Sequence, residues 1–139
     1  MLIEKIASPA DVKNMDTESL KALAGEIRTA LLNKISHCGG HLGPNLGFVE
    51  PTIALHYVFE SPKDKLVYDV SHQSYTHKIL TGRAGAFLNP EKYWSVTGYT
   101  EPCESEHDHF MIGHTSTSVS LALGLATARD IKGEKGNVI

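Results

Sequence analysis

Apolar residues recur at helical spacing in three stretches of the chain. The first follows Asp16, an expected N-cap, and stops at Gly39-Gly40. The second, VEPTIALHYVFE at 49–60, is apolar on much of its surface, and the third runs from the Ser/Thr-rich GHTSTS to Gly133. We therefore predict three helices, the last with a small-residue body that suits close packing on a neighbour. The apolar positions of the first helix are Leu20, Leu23, Ala24, Ile27, Leu31 and Ile35.

Shorter apolar segments predict strands between these helices. KLVYDV at 65–70 has the pattern of a buried strand that ends at Asp69, and the final NVI has the pattern of a strand that begins. HQSYTHKILTGR predicts another helix closed by Gly82, and residues 84–104 predict an irregular surface loop. This alternation predicts an α/β fold with a mostly parallel sheet flanked by helices.

Composition narrows the class of protein. The chain has 139 residues, 41% of them hydrophobic and 21% charged, with a formal net charge of −3. These values favour one folded domain and exclude a strongly basic nucleic-acid surface. The sequence has no span-length apolar run and no signal-peptide pattern, so we expect a cytoplasmic protein without a membrane partner. A strand that starts at the end of the chain needs neighbours, so we expect a longer protein.

The chain has two cysteines and eight histidines, which raises the question of a metal site. Cys38, Cys103 and the histidines near them are suitable zinc ligands. However, the sequence contains neither a Cys-x-x-Cys pair nor a His-Glu-x-x-His helix. We therefore assign no metal ligand within the chain.

Three histidines lie where a ligand would bind in such a fold. His41 is in the loop GGHLGPNLG, His72 follows the first predicted strand, and His114 precedes the third long helix. Imidazoles suit proton transfer and stabilisation of an oxyanion, although each could also be a loop histidine bonded to backbone. His56 and His77 lie within helical patterns and are expected to be structural.

GHTSTS offers backbone N–H groups and hydroxyls at the start of a helix. This composition suits a phosphate or diphosphate, or equally a helix cap. The glycine loop matches neither a Walker A loop nor the dinucleotide pattern G-x-G-x-x-G.

Two long segments together resemble the N-terminal region of the 1-deoxy-D-xylulose-5-phosphate synthase family, thiamine diphosphate enzymes of the transketolase superfamily. They are GGHLGPNLGFVEPTIALHYVFESPKDKLVYDVSHQSYTHKILTGR and ESEHDHFMIGHTSTSVSLALGLATARDIKGEK. The resemblance implies that residues 1–139 are the first portion of a thiamine diphosphate-binding domain. It also implies a cytoplasmic homodimer that condenses pyruvate with D-glyceraldehyde 3-phosphate.

The same resemblance assigns site residues. It places His41 near the reacting thiazolium carbon and makes His72 a second catalytic residue that also contacts the cofactor. Gly113, His114 and Thr115 line the cofactor site. The family's Mg²⁺ ligands lie in and after a Gly-Asp-Gly segment that this chain lacks, so we expect the 139 residues alone to be inactive.

Several residues depart from the family pattern. Ser71 stands where the family has glycine, Thr76 replaces a proline, and Thr115 replaces a serine. Glu101-Pro102-Cys103 makes a commonly basic segment acidic. Two alternatives to the synthase therefore remain, another transketolase-like enzyme subunit or a degenerate domain without catalytic activity.

Overall fold

Helices form most of the chain in a computed structural model that describes residues 1–139. Short 3-10 helices cover Ile3–Lys5 and Pro90–Ser95. The α-helices are α1 (Pro9–Lys13), α2 (Thr17–Cys38), α3 (Leu42–Gly47), α4 (Val49–Val58), α5 (Tyr75–Lys78), α6 (Gly85–Leu88) and α7 (Ser118–Lys132). None of them combines the length and apolar character needed to cross a bilayer.

Helix α2 is the element on which the core is built. The Asp16 carboxylate accepts a hydrogen bond from the Ser19 N–H at 2.7 Å, and the helix ends at Gly39, whose φ is 73°. Both boundaries confirm the sequence prediction. The apolar side of α2 packs against α3, α4 and α6. The core residues it contributes are Leu23, Ala24, Ile27, Ala30, Leu31 and Ile35.

The predicted parallel sheet flanked by helices is wrong. The two segments expected to be strands do pair in parallel, but only through an isolated bridge between Lys65 and Val138. The Val67 N–H donates to the Ile139 carbonyl at 2.8 Å, and the Ile139 N–H donates to the Lys65 carbonyl at 2.9 Å. Because each of the two segments is only a few residues long and neither pairs with a further strand, they form one bridge and no sheet.

The segment after α5 turns sharply at a glycine, as predicted. Helix α5 continues into a kinked turn, Ile79–Arg83, in which Gly82 has a φ of 90°. A Cβ atom at Gly82 would lie 2.9 Å from the Ala7 carbonyl oxygen. Both the conformation and the close approach therefore require glycine.

The region from 84 to 104 is more regular than an irregular loop, because it contains α6 and a 3-10 helix. A buried lysine on α2 holds it in place. The Lys34 ammonium donates to the carbonyls of Ala86, at 3.0 Å, and Tyr93. It also lies 4.8 Å from the Phe87 ring centroid. This lysine is therefore held by carbonyl dipoles and aromatic rings instead of a carboxylate. Its burial lowers its pKa.

Two buried histidines and an ion pair fix the segment that contains Asp108. The His56 and His77 rings are hydrogen-bonded at 2.9 Å, and His77 Nε2 lies 2.9 Å from Asp108 Oδ1. Arg83 donates to both carboxylate oxygens of Asp108 at 2.8 Å. Burial opposes ionisation of Asp108, but the hydrogen bonds from Arg83 and His77 outweigh it and lower its pKa. His56 and His77 are therefore structural, as their helical positions predicted.

The ion pair between Lys78 and Glu104 extends this network to the residue that follows the acidic segment Glu101-Pro102-Cys103. Glu104 accepts from Lys78 at 2.6 Å and from Arg83 at 3.0 Å, and it also accepts from the Thr97 N–H at 2.6 Å. The Lys78 side chain is fully buried. Glu104 is thus neutralised inside the fold.

Helix α7 differs from the other long helices because none of its residues is buried. Its end is as predicted, with Gly133 in the left-handed conformation at φ 67°. Val119, Leu123 and Ile131 are exposed along its length. The close packing expected from its small residues does not occur within the chain.

The histidine network predicts how stability depends on pH. Burial lowers the pKa of His56 from 6.5 to about 2. Between these two values the unfolded chain binds a proton that the folded chain does not, so stability falls as the pH falls below 6.5. Each pH unit costs about 1.4 kcal/mol for one such histidine.

We expect His56→Gln to make the decline in unfolding free energy between about pH 6.5 and 5 less steep, measured by urea denaturation. His37→Gln, at an exposed position, serves as the control and leaves the slope unchanged. An equal slope in the parent chain and His56→Gln would contradict the assignment.

Candidate active site

The two histidines assigned to catalysis face each other in the structure. Gly39 and Gly40, with φ of 73° and 134°, turn the chain out of α2 and place His41 at the start of α3. The rings of His41 and His72 are perpendicular, with centroids 5.1 Å apart. His41 is exposed and His72 is half-buried. Nδ1 of His72 is buried and has no hydrogen-bond partner.

Asn45 holds the two histidines together. Its Nδ2 donates to the backbone carbonyls of His41 and His72, both at 2.8 Å. Its Oδ1 accepts the N–H of Tyr75 at 3.0 Å, and only 1% of the residue is exposed. Both N–H donors of this amide and its oxygen are therefore used to join the glycine loop to the segment that carries His72. Sequence reasoning missed Asn45, although a polar residue inside GPNLG between two helices is a signal worth noting.

Tyr99 connects these histidines to the predicted cofactor segment. Its ring centroid lies 6.0 Å from that of His41. A Cβ atom at Gly113 would lie 3.9 Å from Tyr99 Cε1. The structure therefore brings His41, His72 and Gly113 to one cluster. Sequence reasoning also missed Tyr99, which lies in a segment without periodicity.

Residues 113–115 present free backbone donors beside this cluster. Gly113, His114 and Thr115 are exposed, and their N–H groups donate no hydrogen bond within the chain. Nδ1 of His114 lies 3.2 Å from the Thr115 carbonyl oxygen. No contact joins the His114 ring to His41 or His72, so the third predicted imidazole is a neighbour of the cluster and not part of the pair.

The N-terminus of α7 already holds an anion, the Asp69 carboxylate. Asp69 accepts the N–H groups of Ser116 at 3.0 Å, Thr117 at 3.1 Å and Ser118 at 3.2 Å. These backbone hydrogen bonds lower the pKa of Asp69. Of the two interpretations of GHTSTS, the helix cap describes residues 116–118, and only residues 113–115 keep donors for a ligand.

No group of three or more His, Cys, Asp or Glu side chains is arranged to hold a metal ion. Cys38 and Cys103 are free thiols. His107 Nδ1 lies 2.8 Å from the Ser61 hydroxyl oxygen. The cysteines and histidines considered for zinc are thus dispersed among separate contacts.

The arrangement can donate or accept protons at one small surface. An exposed imidazole, a second imidazole with an unpartnered nitrogen and three free amides suit a ligand that carries a carbonyl oxygen or an anion. The backbone carbonyls of His41 and His72 are held by the Asn45 side chain, which favours a fixed geometry of the two residues.

Comparisons with known proteins agree with the resemblance seen in the sequence. A family model described as 1-deoxy-D-xylulose-5-phosphate synthase matches residues 3–139. The 1-deoxy-D-xylulose-5-phosphate synthase of Dictyoglomus turgidum is 55% identical over 139 residues, which are 100% of this chain and 22% of the relative.

Two further relatives carry the same name. The protein from Halalkalibacterium halodurans is 55% identical over 139 residues, again 100% of this chain and 22% of the relative. The protein from Geobacillus sp. is 56% identical over 133 residues, 96% of this chain and 21% of the relative. The chain therefore spans about a fifth of the length of the curated relatives it matches.

The role of Asn45 can be tested with an isosteric change. Asn45→Asp replaces an N–H₂ donor with a carboxylate oxygen that faces two carbonyl oxygens. We expect it to lower the free energy of unfolding by about 2–3 kcal/mol in urea denaturation. We also expect loss of the nuclear Overhauser contact between the rings of His41 and His72.

Asn33→Asp is the matched control, because Asn33 is exposed on α2. It should change stability by less than about 0.5 kcal/mol. If Asn45→Asp were as stable as Asn33→Asp and kept the contact between the rings, Asn45 would not be what joins the two histidines.

Proposed function

Because the chain belongs to the 1-deoxy-D-xylulose-5-phosphate synthase family, we propose that it is the N-terminal part of a transketolase-type transferase. The whole enzyme condenses pyruvate with D-glyceraldehyde 3-phosphate and releases carbon dioxide. The product, 1-deoxy-D-xylulose 5-phosphate, feeds the synthesis of isoprenoid precursors. The observation that best supports this proposal is the His41–His72 pair, which lies beside unused backbone donors.

The chain's residues fit one side of a thiamine diphosphate site. The buried, unpartnered Nδ1 of His72 and the free amides of residues 113–115 are groups that a bound ligand would satisfy. Thiamine diphosphate, when bound, supplies a nucleophilic thiazolium carbon and accepts the electron pair released by decarboxylation. His72, Gly113, His114 and Thr115 are the residues we assign to it.

The histidines supply the proton chemistry. His41 is exposed and can donate a hydrogen bond or a proton to the keto oxygen of a substrate. Negative charge that develops on that oxygen is stabilised by the same donor. The Tyr99 ring meets the His41 ring edge-on, with centroids 6.0 Å apart, and the perpendicular His72 ring lies 5.1 Å from it. These two contacts limit the orientations of the His41 imidazole.

The residues do not fit the Mg²⁺ that the family uses. No ligand set for a metal ion is present among them, and the sequence contains no Gly-Asp-Gly segment. We therefore assign no residue of this chain to Mg²⁺, and we propose that the 139 residues alone are inactive. The family likeness also supports a cytoplasmic homodimer for the whole protein.

A fusion protein tests this function. Residues 1–139 replace the 55% identical segment of the Dictyoglomus turgidum relative, which provides the remaining part of the family's length. We expect the fusion protein to bind thiamine diphosphate in isothermal titration calorimetry with Mg²⁺ present. We also expect it to convert pyruvate and D-glyceraldehyde 3-phosphate to product, whereas the 139-residue chain alone does not.

Substitutions in the fusion protein test the site. His41→Ala and His72→Ala should each lower kcat/KM by on the order of 100-fold, because each removes an imidazole that transfers or orients a proton. His37→Ala, an exposed histidine at the end of α2, is the control and should keep kcat/KM within about twofold. Unchanged cofactor binding and turnover in both variants would contradict the site assignment.

The alternatives give different results in the same assay. Turnover of a ketose phosphate donor in place of pyruvate would indicate another transketolase-like activity. A fusion protein with the circular dichroism spectrum of the parent enzyme but no affinity for thiamine diphosphate would indicate a non-catalytic domain.

A further inference from the structure

We propose that Ser71 is a positioning residue that fixes the segment from Tyr99 to Gly113 beside the two site histidines. Its significance for catalysis rests on the function proposed above, whereas its effect on the segment does not. From the sequence, Ser71 was notable only because it stands where the family has glycine. In the structure, this side chain bridges two backbone groups that are distant in the sequence.

The backbone at Ser71 is held in an unusual conformation. Val70 and Ser71 both have positive φ, 59° and 65°, and the Ser71 N–H donates to the Asp69 carbonyl at 2.6 Å. Left-handed conformations of this kind are unfavourable for residues with a Cβ atom and favour glycine. A serine at this position therefore needs a compensating interaction.

The hydroxyl of Ser71 provides that interaction. Its Oγ donates to the Ile112 carbonyl at 2.8 Å and accepts the Thr100 N–H at 3.1 Å. Ser71 is completely buried, so these backbone groups have no access to water as a substitute partner. One side chain thereby joins both ends of the segment from Thr100 to Ile112.

The position of these two bonds connects Ser71 to the site. Thr100 directly follows Tyr99, whose ring lies beside His41, and Ile112 directly precedes Gly113. A third bond, from the Thr100 hydroxyl to the Phe110 carbonyl at 2.6 Å, ties the two ends of the segment to each other. Loss of the Ser71 hydroxyl would remove the anchor that the two ends of the segment share, while Glu104 and Asp108 still hold its middle.

Two substitutions separate the hydroxyl from the backbone conformation. Ser71→Ala keeps the unfavourable backbone conformation and removes the hydroxyl. Ser71→Gly also removes the hydroxyl but relieves the backbone. If Ser71 acts by positioning, both variants are impaired. If only the turn conformation matters, Ser71→Gly equals or exceeds the parent protein.

Ser74→Ala is a matched control. Ser74 is also completely buried and lies three residues further along the chain. Its hydroxyl has no hydrogen-bond partner, so its removal breaks no bridge between segments.

The first measurement does not depend on the proposed function. Hydrogen exchange of the 139-residue chain, followed by mass spectrometry, should show the 99–112 segment exchanging on the order of tenfold faster in Ser71→Ala and Ser71→Gly than in Ser74→Ala. Equal exchange in Ser71→Gly and the parent chain would overturn the proposal. Unprotected exchange of this segment in the parent chain would overturn it as well.

The second measurement uses the fusion protein described above. Ser71→Ala and Ser71→Gly should raise the thiamine diphosphate Kd and the KM for pyruvate by about five- to tenfold, with a smaller change in kcat, because the site loosens without losing an imidazole. A change in thermal stability without a change in Kd or KM would assign Ser71 a structural role only. If the parent fusion protein binds no cofactor, the proposed function fails while the exchange result still decides the role of Ser71.

Discussion

The short turn from Asp69 to His72 is the constraint on which the rest of the site depends. Asp69 caps α7, Ser71 bridges Thr100 and Ile112, and the His72 carbonyl accepts from Asn45. Three segments that are distant in the sequence thus meet at four consecutive residues. Because the chain forms no sheet, this turn positions the glycine loop, the segment that ends at Ile112 and the start of α7 relative to one another.

Buried polar groups fix the irregular part of the fold in a similar way. The 84–112 region contains only short helices, which cannot bury enough apolar surface to hold themselves in place. Lys34, Arg83 and Lys78 instead bind carbonyl and carboxylate oxygens that this region presents to the core. Lys78 and Arg83 are paired with carboxylates, and the Lys34 ammonium is hydrogen-bonded to carbonyl oxygens, so burial of the network costs less than burial of isolated ions. Among the acidic residues of this region, Glu104 and Asp108 serve this internal role.

Sequence reasoning succeeded where the determining contacts are local. The N-cap at Asp16, the glycine stops at Gly39 and Gly133, and the apolar spacing of α2 all depend on residues within a few positions of each other. It failed for the sheet, because strand patterns do not reveal whether enough neighbouring strands exist. It also missed Asn45 and Tyr99. The hydrogen bond from Asn45 to His72 spans 27 residues, and the hydrogen bond between Asp69 and Ser116 spans 47. Neither of these two bonds could be predicted from the local spacing of residue types.

The placement of charge limits what this part of the site can do alone. Asp69 stays ionised because three backbone N–H groups lower its pKa, and it occupies the positive end of α7. No lysine or arginine lines the adjoining cavity along residues 111–121. A diphosphate near Gly113 would therefore find hydrogen-bond donors but a nearby negative charge. The cluster is suited to proton transfer and orientation, and tight binding of a highly charged cofactor requires cationic groups that this cluster does not contain.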